Sequence, residues 1–176
     1  MSNITNKGIN EIEIAIENDL NELGFVVEYV EYLKEFDNYV LKIVVDKIEG
    51  KVDVEDCVNI SRKIEEKIDV LMKNDKEYVL EVSSAGMERQ LKTLKLYKKY
   101  IGYDIFVRLF KKTDILKDVK LKEFEAKLIS LDEEKNKITV KKNISNIDVT
   151  FNIDIKDIAS AHTVFDYDKM FKENKK

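Results

Sequence analysis

The hydrophobic period of this chain changes near its middle, and that change limits the folds open to it. In Glu77-Tyr-Val-Leu-Glu-Val-Ser-Ser-Ala-Gly-Met-Glu-Arg-Gln-Leu91, Tyr78, Leu80 and Val82 alternate with Val79 and Glu81, the two-residue period of a strand. Ser83-Ser84-Ala85-Gly86 is expected to break that strand, because serine competes for local backbone hydrogen bonds and glycine tolerates positive φ. Beyond the break, Leu91, Leu94, Tyr97 and Ile101 recur at steps of three and four, a helical stripe. Arg89, Lys92, Lys95, Lys98 and Lys99 are interleaved with it.

The first half alternates helices and strands. Ile9, Ile12, Ile16, Leu20 and Leu23 trace one helical face, and Gly24 stands where a C-terminal glycine belongs. Phe25–Leu33 and Tyr39–Asp46 read as strands joined by the short Lys34–Asn38 segment, a hairpin. Asp53 can cap a second helix, whose apolar side is Cys57, Ile60, Ile64, Ile68 and Leu71. The order is α-β-β-α-β, with two helices expected over one face of a three-stranded sheet. The second half reads as all-β. Asp104–Phe110, Glu123–Leu131, Lys137–Lys141 and Ile147–Ile155 are short strands with charged turns, the pattern of a small barrel. Lys111–Lys122 is expected to be a polar loop. No proline occurs, so turns must rely on Gly, Asn, Asp and Lys.

With 44% apolar and 38% charged residues, the chain suits a soluble protein of one or two small domains. No apolar run approaches the ~18 residues of a membrane span. Acidic residues interrupt the N-terminus where a signal peptide needs an apolar core. A lone cysteine, Cys57, excludes an internal disulfide framework and fits a reducing compartment. A cytoplasmic location is expected. The net charge of −4 conceals a split: residues 1–81 hold 10 basic and 20 acidic residues, residues 82–176 hold 21 and 15. Within 86–122 the counts are 11 and 4. Two surfaces for partners of opposite sign are expected, against the simpler reading of a solvated Lys/Glu-rich exterior.

Signals for bond chemistry are weak. Ser83 and Ser84 lack the Gly-x-Ser-x-Gly elbow, and His162 is the only histidine. One Cys and one His far apart make no zinc motif, and no Gly-x-x-x-x-Gly-Lys loop occurs. Cys57 is expected to be a small core residue. No cofactor, metal or small-molecule substrate is expected.

The residues Asp46-Lys-Ile-Glu-Gly-Lys-Val52, Asp56-Cys57, Ser61-Arg62, Ile68-Asp69, Tyr78–Gly86, Arg89, Leu91 and Tyr100-Ile-Gly102 together resemble the bacterial RimP family of ribosome maturation factors. The family's Ser-Ser-Pro-Gly turn and following Leu-Asp-Arg-Pro-Leu stand here as Ser83-Ser-Ala-Gly-Met-Glu-Arg-Gln-Leu91, with both prolines replaced. Phe124-Glu-Ala-Lys-Leu128 and Ile155–Ala161 match more loosely. The resemblance implies an α-β-β-α-β domain of KH-like topology (1–86), a basic helical connector (87–101), a small SH3-like or Sm-like barrel (102–165) and a flexible tail (166–176).

It also implies a non-enzymatic assembly factor that binds the immature small ribosomal subunit, touching ribosomal RNA and a small-subunit ribosomal protein. The alternative is a general RNA-binding or RNA-chaperone module of Sm-like type. The expected phosphate contacts are Arg89, Lys92, Lys95, Lys98, Lys99, Arg108, Lys111 and Lys112. A basic ribosomal protein would meet the acids Glu28, Glu31, Glu35, Asp37 and Asp46. Ser83, Ser84 and Gly86 are expected to order the turn. The glycines, at 8, 24, 50, 86 and 102, never form the Gly-x-x-Gly with which a KH domain clamps RNA. The protein is expected to act as a monomer.

Overall fold

The computed structural model describes residues 6–73, 77–116 and 119–165, and the tail expected at 166–176 lies outside them. The chain divides into two compact units, Met1–Ala85 and Gly86–Lys176. In the first, α1 (Asn6–Glu22) leads into β1 (Phe25–Glu35) and β2 (Asn38–Lys47), followed by α2 (Val54–Leu71) and β3 (Tyr78–Ser84). The sheet order is β1-β2-β3, with β1 antiparallel and β3 parallel to β2. A parallel neighbour needs a crossover, and α2 is that crossover.

Both helices bury one stripe against one face of this sheet. Ile12, Ile16 and Leu20 of α1 and Ile60, Ile64 and Ile68 of α2 join Phe25, Val27, Val30, Leu41, Ile43 and Val45 in one core. The α1 stripe ends a residue early, since Leu23 is exposed. Gly24, at φ 82°, then supplies the left-handed residue that turns the chain into β1. On α2 the stripe closes on Met72, and Leu71 points to solvent. Cys57 is half-buried at the margin of the stripe. Asp53 caps α2 through a full capping box: its carboxylate accepts the Asp56 N–H at 2.8 Å, and the Asp56 carboxylate accepts the Asp53 N–H at 2.9 Å.

The strand at the chain's centre runs further than its sequence suggests. Ser83 and Ser84 pair with Val44 and Val45 inside β3, and the Ala85 N–H still donates to the Val45 carbonyl at 2.9 Å. Both serines therefore lie in the strand and not in the turn. Gly86, at φ 71°, makes it. The ladder offered by β2 outweighs serine's local preference.

The second unit holds α3 (Leu94–Lys99), β4 (Asp104–Leu116), β5 (Val119–Asp132), β6 (Lys137–Ile144), β7 (Ile147–Asp154) and β8 (Ile158–Thr163), with one 3-10 turn at Ile155–Asp157. The sheet is antiparallel throughout, in the order β7-β6-β5-β4-β8. Ile105, Val107, Leu109, Phe124, Ala126, Leu128, Ile138, Val140 and Ile153 form its buried face.

Two expectations fail here. The segment Lys111–Lys122 is not a loop: its described residues extend β4 and β5 into a ribbon, with Thr113 opposite Leu121 and Leu116 opposite Val119. Lysines on a two-stranded ribbon can stay solvated on both faces, so a polar composition does not forbid the strand. The helix expected across Leu91–Ile101 is only six residues long. Thr93 caps it, and Leu91 instead donates its N–H to Ala161 of β8 at 2.8 Å.

Candidate functional site

Most of the expected phosphate-binding cations stand on two supports in the second unit. On α3, Leu96 and Tyr97 are buried while Lys95, Lys98 and Lys99 are exposed. Burial pushes the Tyr97 phenol well above its usual range, so it stays neutral beneath the lysines. Lys98 meets Glu133 at 2.8 Å, and this hydrogen bond holds its ammonium above the usual lysine range. Lys99 lies 5.4 Å from the centroid of the Tyr100 ring, a cation–π distance.

The approach to α3 is pinned along β8. The Arg89 N–H donates to the Thr163 hydroxyl at 2.9 Å, and the Thr163 N–H donates to the Arg89 carbonyl at 3.0 Å. Gln90 bridges His162. Arg89 is half-buried as a result, and Lys92 emerges exposed just before the Thr93 cap.

The second support is the outer face of β4. Arg108 is exposed, and its Nε meets Glu123 at 2.9 Å. Phe106 stacks on His162 with centroids 5.1 Å apart, and the His162 Nδ1 lies 3.1 Å from the Thr163 carbonyl. Further along, Lys111 and Lys112 are exposed on the ribbon and share an open groove of about 510 Å³ with Phe110, Thr113, Asp114 and Asp157. The exposed lysines Lys120 and Lys122, absent from the sequence-predicted set, sit on the facing strand of the same ribbon. Glu133 and Glu123 are further additions, because they occupy two of the expected phosphate ligands. No local signal in the sequence marks either pairing, since 35 residues separate Lys98 from Glu133.

In the first unit the five expected acids do not form one surface. Glu28 is 3% exposed, so it is not available to an outside partner. The register of β1 shifts between Val27 and Tyr29, and this bulge takes Glu28 out of the simple alternation. Glu31 is half-buried opposite Lys42, whose ammonium pairs with Glu81 at 2.8 Å. Asp46 is half-buried and accepts the Lys47 N–H at 3.0 Å. Glu35 and Asp37, at the β1–β2 hairpin tip, are exposed.

Among the described residues no three of His, Cys, Asp and Glu are placed to hold a metal ion. Burial raises the Cys57 thiol above its usual range, away from the thiolate a nucleophile needs. Among the described residues no helix is long and apolar enough to cross a membrane.

Residues 15–88 match the family model of the RimP N-terminal domain. The match begins within α1, takes in the whole sheet and its capped crossover, and ends just past the Gly86 turn. The first unit thus carries a RimP N-terminal domain, and this match supports the RimP family of ribosome maturation factors as the family of the chain.

Proposed function

We propose that this protein binds the small ribosomal subunit while it is still immature and assists its assembly without catalysing a bond change. The family match over residues 15–88 carries this reading. The charge division supports it: the first 81 residues hold twice as many acids as bases, and the remainder carries the excess of cations. Ribosomal RNA would meet Lys92, Lys95, Lys98 and Lys99 around α3, Arg89 and Arg108, and the ribbon lysines Lys111 and Lys112. Such contacts give affinity that depends on salt and little on sequence.

A basic small-subunit ribosomal protein would meet the acidic first unit, which repels RNA. Of the five acids named for that contact, Glu35 and Asp37 are exposed and Glu31 and Asp46 are half-exposed. We read the α-β-β-α-β unit as KH-like in topology but not in mechanism, since it has no Gly-x-x-Gly clamp. The five-stranded unit reads as a small SH3-like or Sm-like barrel. The protein works in the cytoplasm, as a monomer and without a cofactor.

Co-sedimentation of the purified chain with immature and mature small subunits tests this function. Preferential retention on immature particles is expected. Equal retention, with tight binding to isolated RNA, would instead identify a general RNA-binding module.

A further inference from the structure

At the tip of the β1–β2 hairpin, Phe36 is 100% exposed and holds φ at 51°. Four non-glycine residues among those described have positive φ, and the other three are Asn136, Ser145 and Asn146. Asn adopts the left-handed region with several-fold enrichment because its short polar chain bonds locally, whereas a bulky aromatic there is an outlier. Phe36 thus departs from two preferences at once: its backbone is strained, and its ring is wholly in water. Strain of this kind persists where the surroundings impose it, and it points toward function.

The surroundings do impose it. Glu35 faces Asn38 and Lys34 faces Tyr39 in the ladder, leaving Phe36 and Asp37 as the two-residue turn. Tyr39 stacks on Tyr32 with centroids 5.4 Å apart and planes 14° off parallel. It also pairs with Tyr78 of β3, whose hydroxyl donates to Asp69 at 2.6 Å. That pairing is the first of the β2–β3 ladder, so residues 35–38 reach past the third strand on a braced stem.

Charge identifies the kind of partner. Glu35 and Asp37, both exposed, flank Phe36 on either side, and Lys34 is the one opposing charge in residues 34–38. Residues 1–81 hold 10 bases against 20 acids. A polyanion would be repelled from this tip, and a cationic protein surface would be attracted. We infer that Phe36 is an aromatic anchor that enters an apolar pocket rimmed by Lys and Arg on a protein partner, with Glu35 and Asp37 closing ion pairs around it. A buried aromatic ringed by polar contacts is the usual form of an interface hot spot. This rests on the reading, proposed above, that the first unit faces a basic ribosomal protein.

The test uses the full chain and purified immature small subunits. Phe36→Asn removes the anchor and relieves the backbone strain. It should raise the melting temperature by about 4 °C while raising Kd for the subunit about tenfold or more. A purely structural residue could not move stability and binding in these opposite senses. With a photoreactive p-benzoylphenylalanine at position 36, crosslinks should form to a ribosomal protein. Wild-type binding matched by the Asn variant overturns this inference alone, and so does a crosslink confined to RNA or the absence of any protein crosslink. Failure of the wild type to bind immature subunits overturns the proposed function and this inference with it.

Discussion

Replacing Lys95 and Lys99 with Gln should flatten the salt dependence of subunit binding by a countable amount. Both residues are exposed on α3, whose buried side is Leu96 and Tyr97, so the substitutions leave the core intact. Each phosphate neutralised contributes about 0.7 to the slope of log affinity against log salt for single strands, and about 0.9 for a duplex. Removing two contacts should therefore lower the slope by about 1.4 to 1.8. Over a fourfold rise in salt, from about 50 to about 200 mM, the wild type should lose about 7- to 12-fold more affinity than the variant.

Lys98 meets Glu133 at 2.8 Å. A phosphate arriving there displaces a carboxylate, so Lys98→Gln should flatten the slope by less than about 0.7. Glu133→Gln should steepen it. Fluorescence anisotropy of labelled protein titrated with immature subunits at four salt concentrations gives the slopes directly. A double variant with native circular dichroism and an unchanged slope would refute the assignment of α3 as a phosphate-binding element.

Three further outcomes test the fold that carries these residues. Asp53→Ala breaks the capping box of α2 and should cost about 1 kcal/mol, seen as a lower urea midpoint at unchanged slope. Ile64→Ala opens a cavity at a position that is 0% exposed and should cost about 2–5 kcal/mol. That is a large share of the stability of a unit this size, and thermal melting should show the first unit unfolding early. Burial raises the Tyr97 phenol, so the folded state keeps this proton at a pH where the unfolded chain loses it. Stability from this group is full below about pH 10 and is lost as pH rises through the folded value, and Tyr97→Phe should remove that part of the alkaline loss in urea titrations.

Local periodicity carries much of the architecture. Ile60, Ile64 and Ile68 are spaced as a helical face, and Asp53 stands where a cap is needed, so α2 is legible from its own residues. The same holds for β1, β2 and the turn after Asp132, where the Lys135 N–H returns to the Asp132 carboxylate at 3.0 Å. β8 is harder to read: Ile158-Ala-Ser-Ala-His-Thr163 is short and built from small residues, and its pairing with β4 makes it a strand. The candidate contacts are legible as residue types. Their availability is not, as Glu28 and Lys98 illustrate from opposite signs of charge.

The sequence by itself determined the order of helices and strands in the first half, the Asp53 cap, the opposed charges of the two halves and the resemblance to a maturation factor. These depend on residues a few positions apart, whose spacing and chemistry act before any tertiary contact exists. The tertiary structure decided that Ser83 and Ser84 stay in a strand, that Lys111 and Lys112 ride on a ribbon, that Glu28 is buried, and that Glu133 holds Lys98. It also left Phe36 standing alone in water. Each of these outcomes depends on which distant segment arrives alongside, and pairings across tens of residues leave no periodic trace in the chain that makes them.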